Sequence, residues 1–120
     1  MAQGTYTPDT NSADPNGSRS RYATFQLINS VSIKGGYAGF GEPDPNARDI
    51  ELYETILSGD LDGNDVDVNN PSDLLNEQSR FENSYSVLTN TNANPILEGF
   101  LVTAGNANAG AIYNVRRWDV

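Results

Sequence analysis

Short runs of alternating apolar and polar residues, each closed by a glycine corner, organise this chain. Val31-Ser32-Ile33-Lys34-Gly35-Gly36-Tyr37 is echoed by Thr55-Ile56-Leu57-Ser58-Gly59-Asp60-Leu61, and more loosely by Phe100-Leu101-Val102-Thr103-Ala104-Gly105-Asn106. Each run has an aliphatic centre, at Ile33, Leu57 and Val102. Alternation places every second side chain on one face of a strand. A glycine just after the strand permits a sharp corner that a Cβ would obstruct. The step from Ile33 to Leu57 is 24 residues, a length that suits one coil of a β-solenoid.

The same pattern predicts further short strands at Thr5-Tyr6-Thr7, Tyr22 to Ile28, Ser84 to Thr89, Ile96 to Thr103 and Ala111 to Val120. In Tyr22 to Ile28 the set Ala23, Phe25, Leu27 is the one expected to be buried. Two strand pairs correspond: Phe25 to Ile28 ahead of Val31 to Gly35, and Tyr85 to Leu88 ahead of Ile96 to Ala104. Asp49 to Thr55 fits either one helical turn, through Ile50, Tyr53 and Glu54, or extended chain. Ser72 to Glu77 reads as a single helical turn capped by Ser72 or Asp73. Long polar loops lie at about 8–21, 38–48 and 60–83, marked by turn signals such as Pro8-Asp9, Asp14-Pro15 and Asn16-Gly17. All 120 residues are therefore expected to form one all-β unit, a right-handed parallel β-helix segment with long loops. An antiparallel sandwich or jelly roll is the alternative, although its strands usually recur at closer spacing.

Composition narrows the chemistry. The net charge of −9 and the absence of a basic patch exclude nucleic acid as an expected partner and disfavour anionic membrane surfaces. No run approaches the apolar length of a membrane span. There is no cysteine and no histidine, which removes disulfides, thiolate sites, His-ligated zinc and the usual catalytic triads. Polar sequence follows Met1 directly, without a signal-peptide pattern, so a secreted protein would be represented by its mature piece or by a fragment. Fifteen Asn, with 11 Gly and 6 Pro, supply turn and left-handed corner residues for a fold of many short strands.

The densest chemistry is Asp60-Leu61-Asp62-Gly63-Asn64-Asp65-Val66-Asp67. Carboxylates on a flexible loop can turn several oxygens toward one hard cation, so Asp60, Asp62, Asp65 and Asp67 are the candidate ligands of a structural Ca2+. The stretch departs from an EF-hand loop, with glycine at the fourth position and Pro71 at the twelfth. The plain alternative is a solvated acidic loop. Glycosidic hydrolysis by paired carboxylates lacks a second acidic cluster, and Lys34 and Arg48 read as surface charges rather than as bases. Tyr37, Phe40, Tyr53, Tyr85, Tyr113 and Trp118 offer sugar-stacking rings, while Phe25, Phe100 and Tyr85 read better as core. Arg116, Arg117 and Trp118 form the one basic-aromatic cluster, a candidate binding or assembly element.

Ala2 to Pro8, Thr24 to Leu27, Ile33 to Phe40, Glu54 to Leu61, Leu97 to Phe100 and Gly105 to Asn108 together resemble right-handed parallel β-helix proteins of the pectin-lyase-like class. The likeness is to the large repeat-bearing surface proteins of planctomycete-type bacteria, which share features with polymorphic outer-membrane proteins. It implies the N-terminal portion of a longer helix at the cell surface. Relatives that cleave carbohydrate build their sites on middle coils, so no catalytic residue is carried over. The expectation is a non-catalytic, extracellular structural or adhesive module. It would associate with itself or other surface proteins, stacking end to end into fibres. The alternative is a carbohydrate-binding or carbohydrate-cleaving module, with glycans as partners.

Overall fold

In the computed structural model, residues 1–67, 69–70, 72–73, 76–90 and 95–106 are described. The fold is all-β, with seven short strands among the described residues: β1 (Gly4–Tyr6), β2 (Phe25–Gln26), β3 (Ser32–Lys34), β4 (Thr55–Ser58), β5 (Leu88–Thr89), β6 (Ile96–Glu98) and β7 (Phe100–Thr103). They form three small sheets, ordered β1-β4-β7, β2-β5 and β3-β6. Every pairing between these strands is parallel. The chain visits the sheets in a fixed rotation, first to second to third, and then begins again at β4 and at β7. The antiparallel strand pairs of a sandwich are not found among the described residues; one isolated antiparallel bridge joins Tyr37 to Arg48.

Register explains the core. Tyr6 lies beside Leu57 and Leu57 beside Val102, Phe25 beside Leu88, and Ile33 beside Leu97. These are the alternating apolar positions, and in-register pairing stacks them into three ladders that meet inside. Leu57, Val87, Phe100 and Val102 form the buried centre, with Tyr6, Phe25, Ile33, Leu88 and Leu97 packed around it. Burying each large apolar side chain contributes about 1.5–3 kcal/mol.

Two corners show why glycine is needed. Gly99 separates β6 from β7 with a φ of +75°, and a Cβ there would lie 2.8 Å from Ile50 Cγ2 and 3.0 Å from the Gly35 carbonyl. A Cβ on Gly35 would in turn meet the Gly99 carbonyl at 2.6 Å. The two corners stack directly, and neither tolerates a side chain. Thr55 locks the same region: its buried hydroxyl accepts from Gly36 N at 2.9 Å and donates to the Ala2 carbonyl at 3.1 Å.

Several expectations change in detail. The 24-residue step from Ile33 to Leu57 is not the stacking repeat, because Ile33 pairs with Leu97 while Leu57 pairs with Tyr6 and Val102. The two runs look alike locally but belong to different sheets. The corresponding pairs fare better, since Phe25–Gln26 stacks on Leu88–Thr89 and Ser32–Lys34 on Ile96–Glu98. The run from Ile96 to Thr103 bends at Gly99 into two strands. Only Leu88–Thr89 of Ser84 to Thr89 is strand; Ser84 Oγ instead donates to the Ala23 carbonyl at 2.8 Å, and Tyr85 N to the Arg21 carbonyl at 2.9 Å. Of the two readings of Asp49 to Thr55, the single helical turn is the one found: Tyr53 N donates to the Asp49 carbonyl at 2.8 Å, and Asp49 Oδ1 accepts from Glu51 N and Leu52 N. The turn expected at Ser72 to Glu77 and the strand at Ala111 to Val120 lie wholly or partly outside the described residues.

Candidate metal centre

The acidic loop leaves the core at a corner. After β4, Gly59 N donates to the Thr103 carbonyl, and the Gly59 carbonyl accepts from Ser84 N at 2.8 Å. The next carboxylate folds the loop back on itself: Asp60 Oδ1 accepts from Asn64 N at 3.1 Å and Oδ2 from Asp65 N at 3.0 Å. Asp65 is thereby brought beside Asp60. A second segment arrives from a short 3-10 helix, Gln78–Arg80, capped by the Glu77 side chain. Val66 N donates to Ser79 Oγ at 3.2 Å and ties the loop to this helix. Asn83 N closes a turn onto the Arg80 carbonyl, which carries Glu82 and Asn83 under the loop.

Asp60, Asp65 and Glu82 each offer an oxygen, and these oxygens lie within 4.8 Å of one another. Asn83 is fully buried, and its Nδ2 donates to Asp65 Oδ2 at 2.7 Å. Three other oxygens of this group are unsatisfied. Asp65 Oδ1, Glu82 Oε1 and Asn83 Oδ1 are buried without a hydrogen-bond partner. Among the described residues one further side-chain atom shares that condition, Asp9 Oδ1, on a carboxylate whose other oxygen accepts from Arg19 N. Burial pushes the Asp65 carboxyl above the ordinary aspartate range. The Asn83 hydrogen bond opposes this, Asp60 adds to it, Arg80 opposes it, and Glu77 adds again.

The four aspartates singled out from the sequence therefore divide. Asp60 and Asp65 come together; Asp62 instead pairs with Arg19, whose Nε stands 2.7 Å from its Oδ1, and Asp67 is exposed outside the trio. Arg19 reaches that position with a φ of 61° and also donates to the Leu61 carbonyl. Glu82 and Asn83 escaped the sequence reading because nothing in Phe81-Glu82-Asn83-Ser84 marks a ligand; only the turn after the 3-10 helix puts them there. Arg116, Arg117 and Trp118 lie outside the described residues.

Of the other candidates, Phe100 is core and Phe40 is fully exposed. Arg48 is engaged at the corner, donating from Nε to the Gly35 carbonyl at 2.9 Å with Glu98 3.8 Å from its Nη2. Beside the acidic group, the Arg21 guanidinium lies 4.0 Å over the Tyr85 ring, and its Nε donates to the Asn83 carbonyl at 2.7 Å. Tyr22, 84% exposed, tilts against Tyr85 at 5.3 Å. Among the described residues no helix is long and apolar enough to cross a membrane. No protein-family model, no curated protein and no solved structure matches this chain.

Proposed function

We propose that the chain is a segment of a parallel β-solenoid that serves as a non-catalytic, extracellular structural or adhesive module. The observation that carries this reading is the rotation of the strands through three parallel sheets, with inward residues stacked in register. In a solenoid each coil contacts only its neighbours, so the fold supplies length and a repeating surface rather than a single deep cleft. Its end strands present unpaired backbone groups, a template for a further chain. Here the 37–48 loop partly covers one end: Tyr37 bridges Ala2, with Gln3 N donating to the Tyr37 carbonyl at 2.7 Å. Strands β2 and β3 keep one partner each among the described residues, and copies would stack there head to tail into open filaments. The net charge of −9 opposes such contacts, so assembly is favoured by salt or divalent cations.

Negative-stain electron microscopy of the concentrated chain, in high salt and with Ca2+ or chelator, tests the assembly. Filaments are expected. Monodisperse particles under every condition would overturn assembly as the role.

A second reading is a carbohydrate-binding module, favoured by the exposed Tyr22 ring against Tyr85 with Arg21 alongside. Aromatic faces flanked by a donor-rich guanidinium suit sugar rings. A glycan array probed with the wild-type chain and Tyr22→Ala decides it; hits lost in the variant support the reading, and no hits remove it.

A further inference from the structure

We infer that Asp60, Asp65 and Glu82, with the side-chain amide of Asn83, hold one Ca2+ ion that ties the 60–66 loop to the segment 77–84. This inference stands independently of the solenoid reading.

Clustered carboxylates alone would be an unremarkable surface feature. What sets this group apart is the buried, unsatisfied oxygen that accompanies it. Asp65 Oδ1 and Glu82 Oε1 receive no hydrogen bond, and neither does Oδ1 of the fully buried Asn83. Buried polar atoms are rarely left in this state, because the lost hydration is not replaced. The Asn83 amide head is within the group, since its Nδ2 contacts Asp65 Oδ2 at 2.7 Å. To serve as a ligand it makes a half-turn of its terminal torsion, giving up the Nδ2 hydrogen bond to Asp65 and presenting Oδ1 at that position instead.

Oxygen is the only donor type in the cluster, which selects a hard cation over zinc or copper. Ca2+ accepts six to eight oxygens in flexible geometry, whereas Mg2+ demands a near-ideal octahedron and dehydrates reluctantly. The trio's oxygens, within 4.8 Å of one another, are close enough for one ion to bridge them. Three carboxylates and one amide oxygen, completed by water, reach the six to eight ligands of Ca2+. Asp62 is not needed, being held by Arg19. The cation also resolves the electrostatics: three neighbouring carboxylates have Arg80 as the cation acting on Asp65.

The rival occupant is a proton shared between two of the carboxyls. Calorimetric titration separates the two, using the full chain freed of metal by chelator and then given CaCl2 or MgCl2 alone at neutral pH. One Ca2+ site with a Kd of about 10⁻⁴–10⁻³ M is expected, with weaker Mg2+ binding. Glu82→Gln should weaken Ca2+ binding by about tenfold or more, while Asp67→Asn should change it by less than about twofold. Circular dichroism confirms that each variant folds. If Glu82→Gln fails to fold, Asp65→Asn takes its place. No heat up to about 10 mM Ca2+, well above the range of extracellular sites, overturns the inference in favour of the proton. Equal losses in Glu82→Gln and Asp67→Asn overturn it in favour of diffuse attraction by the acidic loop.

Discussion

Thr55 and Asn83 are both fully buried polar residues next to β-structure, yet their surroundings differ in kind. The Thr55 hydroxyl accepts one hydrogen bond and donates another within the glycine corner. The Asn83 amide has one bond, to a carboxylate, and its oxygen has none. The stacked-strand region is complete in itself: apolar ladders inside, backbone bonds between strands, and a satisfied hydroxyl at the corner. The acidic region folds as carefully, with Asp60 capping its own loop, yet it ends in oxygens that lack donors. Native interiors satisfy buried polar groups, so the second region has room for a partner that the described residues do not contribute.

The largest effect should come from the complete region. Phe100, 1% exposed at the centre of the core, has little room to relax around a deletion. Phe100→Ala should cost about 3–5 kcal/mol, read as a lower urea midpoint. A loss below about 1 kcal/mol would mean that the ladders do not carry the fold. Next comes Thr55→Val, which keeps the shape but leaves Gly36 N without its acceptor. It should cost about 1–3 kcal/mol, and Ca2+ should not restore it.

Asp65→Asn should behave in the opposite sense. Burial raises the Asp65 carboxyl above its ordinary range, so the folded chain holds that proton more tightly than the unfolded one. Its charged form therefore costs stability at neutral pH. That cost is relieved as pH falls through the raised folded value toward the ordinary aspartate range. With chelator present, Asp65→Asn should match or slightly exceed wild type in melting temperature and flatten the pH dependence between neutral and mildly acidic solution. With Ca2+ present, wild type should gain and the variant should not. A variant less stable than wild type in chelator would contradict this. The smallest effect belongs to Tyr22→Ala on the exposed surface, within about 0.5 kcal/mol; a larger loss would mean that the ring packs rather than projects.

The strands were legible in the sequence where a short run with an aliphatic centre ended at a glycine-containing corner. Thr55-Ile56-Leu57-Ser58 buries its central Leu57, and Phe100-Leu101-Val102-Thr103 buries Phe100 and Val102. Which strand stacks on which was harder to read, because Val31 to Gly36 and Thr55 to Gly59 share one local pattern. Only the intervening loops send them to different sheets. Of the acidic group, Asp60 and Asp65 were visible as spaced carboxylates in one loop. Asp62 looked equivalent until Arg19, far away in the chain, claimed it. Glu82 and Asn83 were invisible, since their place beside Asp65 arises from a tertiary turn and has no local signature.

The most direct measurement of the contrast between the two regions is hydrogen exchange of the intact chain with Ca2+ and with chelator, resolved by peptide. Amides of β4 and β7 should be protected equally in both, while amides of residues 60–66 and 77–84 should gain protection with Ca2+. The same exchange in both regions with and without the ion would contradict the account.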